Sequence, residues 1–466
     1  MKPKLRTTMI KTIADSAVPA ALIAKYNVSG PRYTSYPTAL RFEPASDGLP
    51  AVLAGGTVRE AIALYVHIPF CASLCRYCGC SQVISDRRGD TTLYLDHLER
   101  EIALWRHRIG ANTRVAQLHF GGGTPSHLSP REIDRLSAML RAGFVIEADA
   151  EISVEIDPRR LDRDRVDAFR RLGCRRVSLG VQDFDEHVQK AIGRIQSYEH
   201  TRDAVAWLRD AGFDSVNLDL IYGLPLQTPE TAGATMDKVL ALDADRLAVF
   251  GYAHIPWIKP AQKSLERAGA LPDATARIAL FSRIFERLVA AGYDAIGLDH
   301  FAKRDDELAR AFRAGTLHRN FQGYSTRPEL TMLGLGVTSI SQSPAAFHQN
   351  EKDLKAYYSA VNAGRLPIAK VLTLTEEDGR RAHIIRTLMC SMRLDFAALS
   401  AHLGMRFEET YAKELARLAP LEADGLLEHT GAGYAVTPTG RFFLRNIAMV
   451  FDEYLDTSAN RHSKTV

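Results

Sequence analysis

The chain has 466 residues, 46% of them hydrophobic and 24% charged. It is globular by composition, with room for one large domain and a smaller one, which excludes a disordered tail or a peptide-sized module. Net charge is only +4 and no stretch carries the dense Lys/Arg stripe that phosphate binding needs, so no nucleic-acid partner is expected.

The N-terminus is basic, with a short apolar stretch that Asp15, Pro19 and Lys25 interrupt before any signal-type core forms. Nowhere does the chain approach the apolar run of about 18 residues that crosses a bilayer. A soluble, cytoplasmic protein without a membrane span is expected. From Ala63 to about Ala253 strand-like and helical runs alternate six times. The strands are expected at 64–70, 115–120, 151–156, 175–181, 215–223 and 246–254, mostly rich in β-branched or aromatic residues. Amphipathic helices are expected at 92–108, 130–140, 164–173, 198–212 and 231–242. Repeated β-then-α units imply right-handed crossovers and a parallel sheet. The alternation fades after His254, so a partial barrel is expected rather than a complete eight-stranded one. Residues 255–372 read as less regular, with a helix at 274–292 and two Gly-rich segments. From about Thr373 helices precede a strand–turn–strand wing and a final helix (426–446), a small winged-helix-like domain. Its candidate recognition helix, ETYAKELARL, carries few cations for DNA binding.

Six cysteines are present, and four of them, Cys71, Cys75, Cys78 and Cys80, fall within ten residues. A secreted disulfide framework would spread them through a short chain, so the pattern is metal or redox chemistry in a reducing compartment. Cys174 and Cys390 are isolated and read as small buried hydrophobes. Structural zinc takes two CxxC knuckles far apart, and ferredoxin clusters use C-x2-C-x2-C; neither matches C-x3-C-x2-C-x-C. Three thiolates on one tight loop can hold three irons of a cubane and leave the fourth open for chemistry.

The other unusual residues follow strand ends, where ligands collect in parallel α/β folds. GGGT follows the second strand, Glu155 and Asp157 end the third, Gln182 follows the fourth, Asp219 lies in the fifth and Tyr252–His254 closes the sixth. Singly, each has a plainer explanation. Glu155 and Asp219 suit strand-end or capping acids. His67, His119 and His254 suit satisfied core histidines, and GGGT suits an ordinary βα turn.

The spacing CxxxCx(aromatic)C, with Tyr77 as the aromatic, resembles the radical S-adenosylmethionine (SAM) superfamily. Longer stretches resemble its oxygen-independent coproporphyrinogen III oxidase family: GPRYTSYPTA (30–39), YVHIPFC (65–71), CGC (78–80), HFGGGTPSHL (119–128) and SVEIDPR (153–159). SLGVQDF (178–184), NLDLIYGLP (217–225), FGYAHIP (250–256), NFQGYST (320–326) and LGLGVTSIS (333–341) continue the likeness, which runs from about residue 28 to 455. The resemblance implies a (β/α)6-type partial barrel at 61–255, an N-terminal arm at 1–60, a barrel extension at 256–372 and a winged-helix-like C-terminal domain at 373–466. It further implies a 4Fe-4S cluster on Cys71, Cys75 and Cys78, and two molecules of S-adenosylmethionine. Their contacts would be Tyr65, Tyr77, Gly122, Gly123, Thr124, Glu155, Gln182, Arg194, Asp219, Ala253 and Ile340. On chemical grounds GGGT offers N–H groups to a carboxylate, and Asp219 can accept from ribose hydroxyls. Two departures stand out: Tyr77 replaces the common phenylalanine, and IGRIQ around Arg194 replaces NRxQ.

The implied reaction is oxidative decarboxylation of two propionates of coproporphyrinogen III to vinyl groups, giving protoporphyrinogen IX in anaerobic haem biosynthesis. A 5′-deoxyadenosyl radical would take hydrogen from the β-carbon, CO2 would leave, and an electron would pass to an acceptor. A low-potential electron donor and an acceptor are therefore expected partners, and a monomer is the expected state. Arg32, in GPRYTSYPTA, is expected to pair with a substrate propionate. The excess of Arg (45) over Lys (14) fits a four-carboxylate substrate, although codon bias gives it too. Cys80 is expected to act on the substrate side, its side chain facing away from Cys78 across an extended segment. The alternatives are a haem chaperone, for which Cys80 and the arm would be superfluous, and a radical SAM methyltransferase or haem-degrading enzyme. A zinc-stabilised DNA-binding protein is the remaining rival.

Overall fold

The structure, a computed structural model, describes residues 18–45, 60–321, 323–327, 330–455 and 462–466. The interrupted apolar stretch near Asp15 and the later part of the arm lie outside the described residues.

Six parallel strands form the centre of the sheet in chain order: β1 (Ile62–Ile68), β2 (Arg114–Gly122), β3 (Val145–Ile156), β4 (Arg176–Gln182), β5 (Ser215–Tyr222) and β6 (Arg246–Gly251). Neighbouring strands are joined through helices α1 (Arg88–Ile109), α2 (Pro130–Gly143), α3 (Arg163–Leu172), α4 (Tyr198–Asp210) and α5 (Pro229–Ala241). The helix starts follow from local chemistry. Ser129 and Glu132 form a capping box before α2, with Pro130 in its first turn, and Thr228 and Thr231 do the same before α5. Helix α2 then buries Ile133, Leu136, Met139 and Leu140 at helical spacing. One apolar core, including Leu64, Val66, Phe120, Val154, Leu179 and Leu218, fills the space between strands and helices. Cys174 and Cys390 are both buried, as small hydrophobes should be.

Two strand boundaries differ from the expected ones by three residues or more. β3 begins at Val145 because Val145 and Ile146 pair with Arg114 and Val115, ahead of a register shift in the β2–β3 pairing. β6 ends at Gly251, so Tyr252–His254 is rim loop rather than strand.

The region after His254 is more ordered than its sequence suggests. It supplies strand β7 (Met332–Leu335), parallel to β1, and antiparallel strands on both sides of the sheet. With the two-residue arm strand Glu43–Pro44 at one edge, the sheet has thirteen strands among the described residues. The sheet strands after His254 are only three to six residues long, too short for alternation to be read in advance.

The C-terminal part runs helix Glu376–Ser391, strand Arg393–Asp395, helices Phe396–Leu403 and Ala412–Ala423, then the wing Leu427–Thr430 and Gly433–Val436. The candidate recognition segment is broken at Tyr411, which is buried. The arm packs here: Ile23, Tyr33 and Tyr36 share a core with Leu388, Phe407 and Phe443. Arg445 holds the arm by donating to the carbonyls of Gly30 and Pro31. Among the described residues, no helix is long and apolar enough to cross a membrane.

Candidate active site

The rim of β1–β6 encloses a cleft of about 370 Å³. Cys71, Cys75, Tyr77, Cys78, Cys80, Gly122, Gly123, Thr124, Glu155, Gln182, Arg194, Asp219 and Ala253 all line it. Tyr65 is half-buried beside the His67 and His119 rings, outside the residues that line the cleft. Ile340 lies on strand Ile340–Gln342, beyond β7, outside the residues that line the cleft.

The cysteine loop turns at Arg76–Tyr77 and bends at Cys80 instead of running extended. Cys80 therefore does not face away from Cys78 as expected. Both line the cleft, and the Cys80 N–H donates to the Cys78 sulfur at 3.4 Å. The Lys259 ammonium holds the Cys80 carbonyl at 2.6 Å, and the Gln262 amide holds the Tyr77 carbonyl at 2.9 Å.

The glycines work by close approach. A Cβ on Gly122, at φ +118°, would meet the His67 ring at 2.7 Å, and one on Gly123 would stand 2.4 Å from the Pro69 carbonyl oxygen. The N–H groups of Gly123 and Thr124 are already donated to the carbonyls of Ile68 and Phe70. They tie β2 to the cysteine loop rather than offering a nest to a carboxylate. Gln182, at φ +68°, marks a register shift between β4 and β5, an uncommon backbone state for a non-glycine residue.

Charge is organised around Cys75. Asp157 accepts two hydrogen bonds from Arg194, each of 3.0 Å, and others of 2.6–3.1 Å from Arg159. Each guanidinium also reaches the Cys75 sulfur at 3.5 Å. Burial pushes Asp157 up, yet the two guanidiniums hold it below the ordinary carboxylate value. Arg159 and the Asp157 pairing escaped the site reading, although SVEIDPR placed both just beyond Glu155. Nothing in the sequence pointed to Lys259 or Gln262.

Glu155 opens to the cleft and takes a 3.2 Å contact from His119 Nε2, whose Nδ1 is 2.7 Å from the Ser153 hydroxyl. Burial raises Glu155, and His119 with the Gly122 N–H outweighs it, so the carboxyl stays below its usual value. Asp219 is the opposite case. Burial, seconded by the charge of Glu155, raises it to about 7 despite hydrogen bonds from Ser178 (2.7 Å) and Asn217 (2.8 Å). His67 is the satisfied core histidine that was expected. Burial lowers it to about 4, Tyr65 O–H lies 3.1 Å from its Nδ1, and its Nε2 meets the Ser81 carbonyl at 3.0 Å. Arg32 arrives from the arm, lines the cleft, and donates to the Gly251 carbonyl at 2.6 Å.

Comparison with known proteins bears on this geometry. The Radical SAM superfamily model matches residues 65–239, and the HemN C-terminal domain model matches 374–443. The oxygen-independent coproporphyrinogen III oxidase of Salmonella typhimurium is 45% identical over 94% of this chain and 96% of its own. That of Synechocystis is 43% identical over 98% of each. The solved radical SAM enzyme coproporphyrinogen III oxidase (HemN) from Escherichia coli superposes with a TM-score of 0.87 at 42% identity, covering 94% of this chain and all of that one. The chain belongs to the oxygen-independent coproporphyrinogen III oxidase family. The radical SAM family match covers all six strand ends around the cleft except the last, at Gly251. The family's C-terminal model covers the winged-helix-like elements.

Proposed function

We propose that this chain performs the reaction of its family: oxygen-independent oxidative decarboxylation of two propionates of coproporphyrinogen III, giving protoporphyrinogen IX. The observation that carries this reading is the joining of three thiols from one loop, the Asp157–Arg159–Arg194 network and a carboxylate pair, Glu155 and Asp219, around one cleft.

The donor set fits a 4Fe-4S cluster held by Cys71, Cys75 and Cys78. Three thiols of one loop line one cleft, and a cubane takes each thiolate on a different iron. Arg159 and Arg194, each 3.5 Å from the Cys75 sulfur, supply the hydrogen bonds and positive charge that a thiolate ligand of an anionic cluster needs. When bound, the cluster and S-adenosylmethionine supply radical hydrogen abstraction.

The remaining steps belong to the protein. Asp219 is positioned by Ser178 and Asn217 to meet ribose hydroxyls. Glu155, kept ionised by His119, meets the cationic parts of the cofactor. Tyr77, packed beside Val188, Ile192 and Leu265, gives the adenine an apolar neighbour. Tyr65, Gly122, Gly123, Thr124, Gln182, Arg194, Ala253 and Ile340 complete the expected contacts to two S-adenosylmethionine molecules. Cys80, held by Lys259 on the open side of the loop, serves the substrate. The chain then divides as its sequence suggests, into arm, barrel, extension and C-terminal domain, working as a cytoplasmic monomer with a separate electron donor and acceptor.

Anaerobic turnover tests the reading. Cluster-reconstituted protein given S-adenosylmethionine, a low-potential reductant and coproporphyrinogen III should yield the divinyl product with loss of two CO2. Unchanged substrate with tightly retained haem would favour the chaperone reading, and methylated haem would favour the methyltransferase.

A further inference from the structure

Behind the cleft lies a second cavity of about 110 Å³, and the two share Arg32, Phe250 and Gly251 as lining. Five arginines face this second space: Arg32, Arg277, Arg319, Arg441 and Arg445. Asp299 is the only acidic side chain among the described residues that line it. Its other walls include the apolar side chains of Ile278, Phe281 and Phe442.

Such a concentration of guanidiniums is costly unless something answers it. Arg441 is only 3% exposed, and its Nε has no hydrogen-bond partner among the described residues. The Nε of Arg277 and the Nε and Nη1 of Arg319 are likewise buried without partners. The contacts these groups do make are mostly to backbone carbonyls: Arg277 to Tyr252 at 3.0 Å, Arg441 to Gly297, and Arg445 to Pro31 at 2.8 Å. Carbonyls satisfy N–H groups without neutralising charge. Burial lowers Arg441 to about 10, and burial with the charges of Arg32 and Arg277 lowers Arg445 to about 9. Each of these facts describes a site built for an anion. Planar forks beside apolar walls suit carboxylates at the ends of short hydrocarbon arms.

We infer that this arginine cavity receives the propionate carboxylates of the tetrapyrrole that are not under attack, while the macrocycle lies in the adjoining cleft. The inference rests on the functional reading above and adds the residues that hold the substrate. Arg32 stands at the junction, bonded to Gly251, where the arms pass from one space to the other. The arrangement separates two tasks. Carboxylates that must stay are held as ion pairs, and the one that must leave as CO2 is kept among groups that do not clamp it.

The test uses full-length protein and two air-stable probes, coproporphyrin III and its tetramethyl ester, with binding followed by fluorescence. Arg277→Gln and Arg319→Gln are the variants, because neither side chain carries the arm as Arg445 does. Each should weaken coproporphyrin III binding about ten- to a hundredfold, the usual worth of a buried charge-assisted hydrogen bond. The ester, which has no anion to pair, should bind wild type and variants alike, and Arg277→Lys should recover part of the loss. Equal weakening of acid and ester would show that the arginines only support the fold, and unchanged acid binding would also overturn the inference. Wild-type protein that neither binds the acid nor converts coproporphyrinogen III would instead overturn the functional reading itself.

Discussion

The cleft and the arginine cavity share a wall but treat charge in opposite ways. In the cleft, Asp157 answers both Arg159 and Arg194 within hydrogen-bond distance, and His119 answers Glu155. In the cavity, five guanidiniums face Asp299, the one acidic side chain among the described residues that line it, and Asp299 is itself paired at 2.7 Å with His300. The first site is balanced within the chain, as a place that must hold thiolates and a cationic cofactor in fixed geometry has to be. The second is short of acidic side chains among the described residues, which is why a bound anion is inferred there. Charge matching thus distinguishes machinery from receptor in two spaces whose linings overlap.

The largest way to break this comparison is to remove a thiolate from the balanced side. Serine at Cys71, Cys75 or Cys78 should lower bound iron and product formation by more than about a hundredfold, beyond the usual cost of losing an outer-shell partner. Iron analysis alongside turnover checks this; full iron and activity in any one variant would remove that residue from the ligand set.

Cys80→Ser is the next sharpest change. It should keep iron and sulfide while product formation is lost, since Cys80 meets the cleft from beyond the cluster loop. Loss of the cluster would make Cys80 a ligand, and full activity would leave it only a packing role.

Asp157→Asn attacks the balance itself. It leaves Arg194, whose side chain is 6% exposed, without its countercharge, and should cost about 3 kcal/mol of stability by urea unfolding. A change within error would mean that the cleft tolerates unpaired guanidiniums as the cavity does, and the contrast between the two would collapse.

The last effect concerns Asp219, raised by burial to about 7, and it is seen only as a change of slope with pH. The folded chain keeps this proton between an ordinary Asp value and about pH 7, while the unfolded chain has released it. The group's contribution to stability therefore falls as pH rises through that window. Glu155 adds to the rise, and Ser178, Asn217 and Arg194 oppose it. Asp219→Asn should flatten the decline in urea midpoint between about pH 4 and 7 while weakening S-adenosylmethionine binding. Equal slopes in both proteins would contradict the assignment.

The sequence made the balanced site readable and left the receptor hidden. The cysteine loop, Glu155, Gln182 and Asp219 sit at consecutive strand ends, so a parallel-sheet rule gathers them without coordinates. The arginine cavity draws Arg32 from the arm, Arg277 from helix Ala274–Ala290, Arg319 from strand His318–Asn320, and Arg441 and Arg445 from the last helical turns. No motif or spacing joins residues more than 400 positions apart. Among 45 arginines, only GPRYTSYPTA drew notice to one of them, Arg32. The orientation of Cys80 was misread for a local reason: alternation of side chains holds in a strand, and the Cys78–Cys80 segment is a bend. Likewise the donors of Gly123 and Thr124 were spent on β1 and the loop after it, a pairing that only the folded chain shows.

The central claim is that hydrogen leaves a propionate held over the cleft while other propionates are held behind it. Coproporphyrinogen III deuterated at the propionate β-carbons tests it most directly, with the 5′-deoxyadenosine formed under anaerobic turnover analysed by mass. The account predicts deuterium in 5′-deoxyadenosine, matched to vinyl groups formed, and two vinyl groups per product molecule. Divinyl product with no deuterium in 5′-deoxyadenosine, or deuterium transfer without CO2 release, would contradict it.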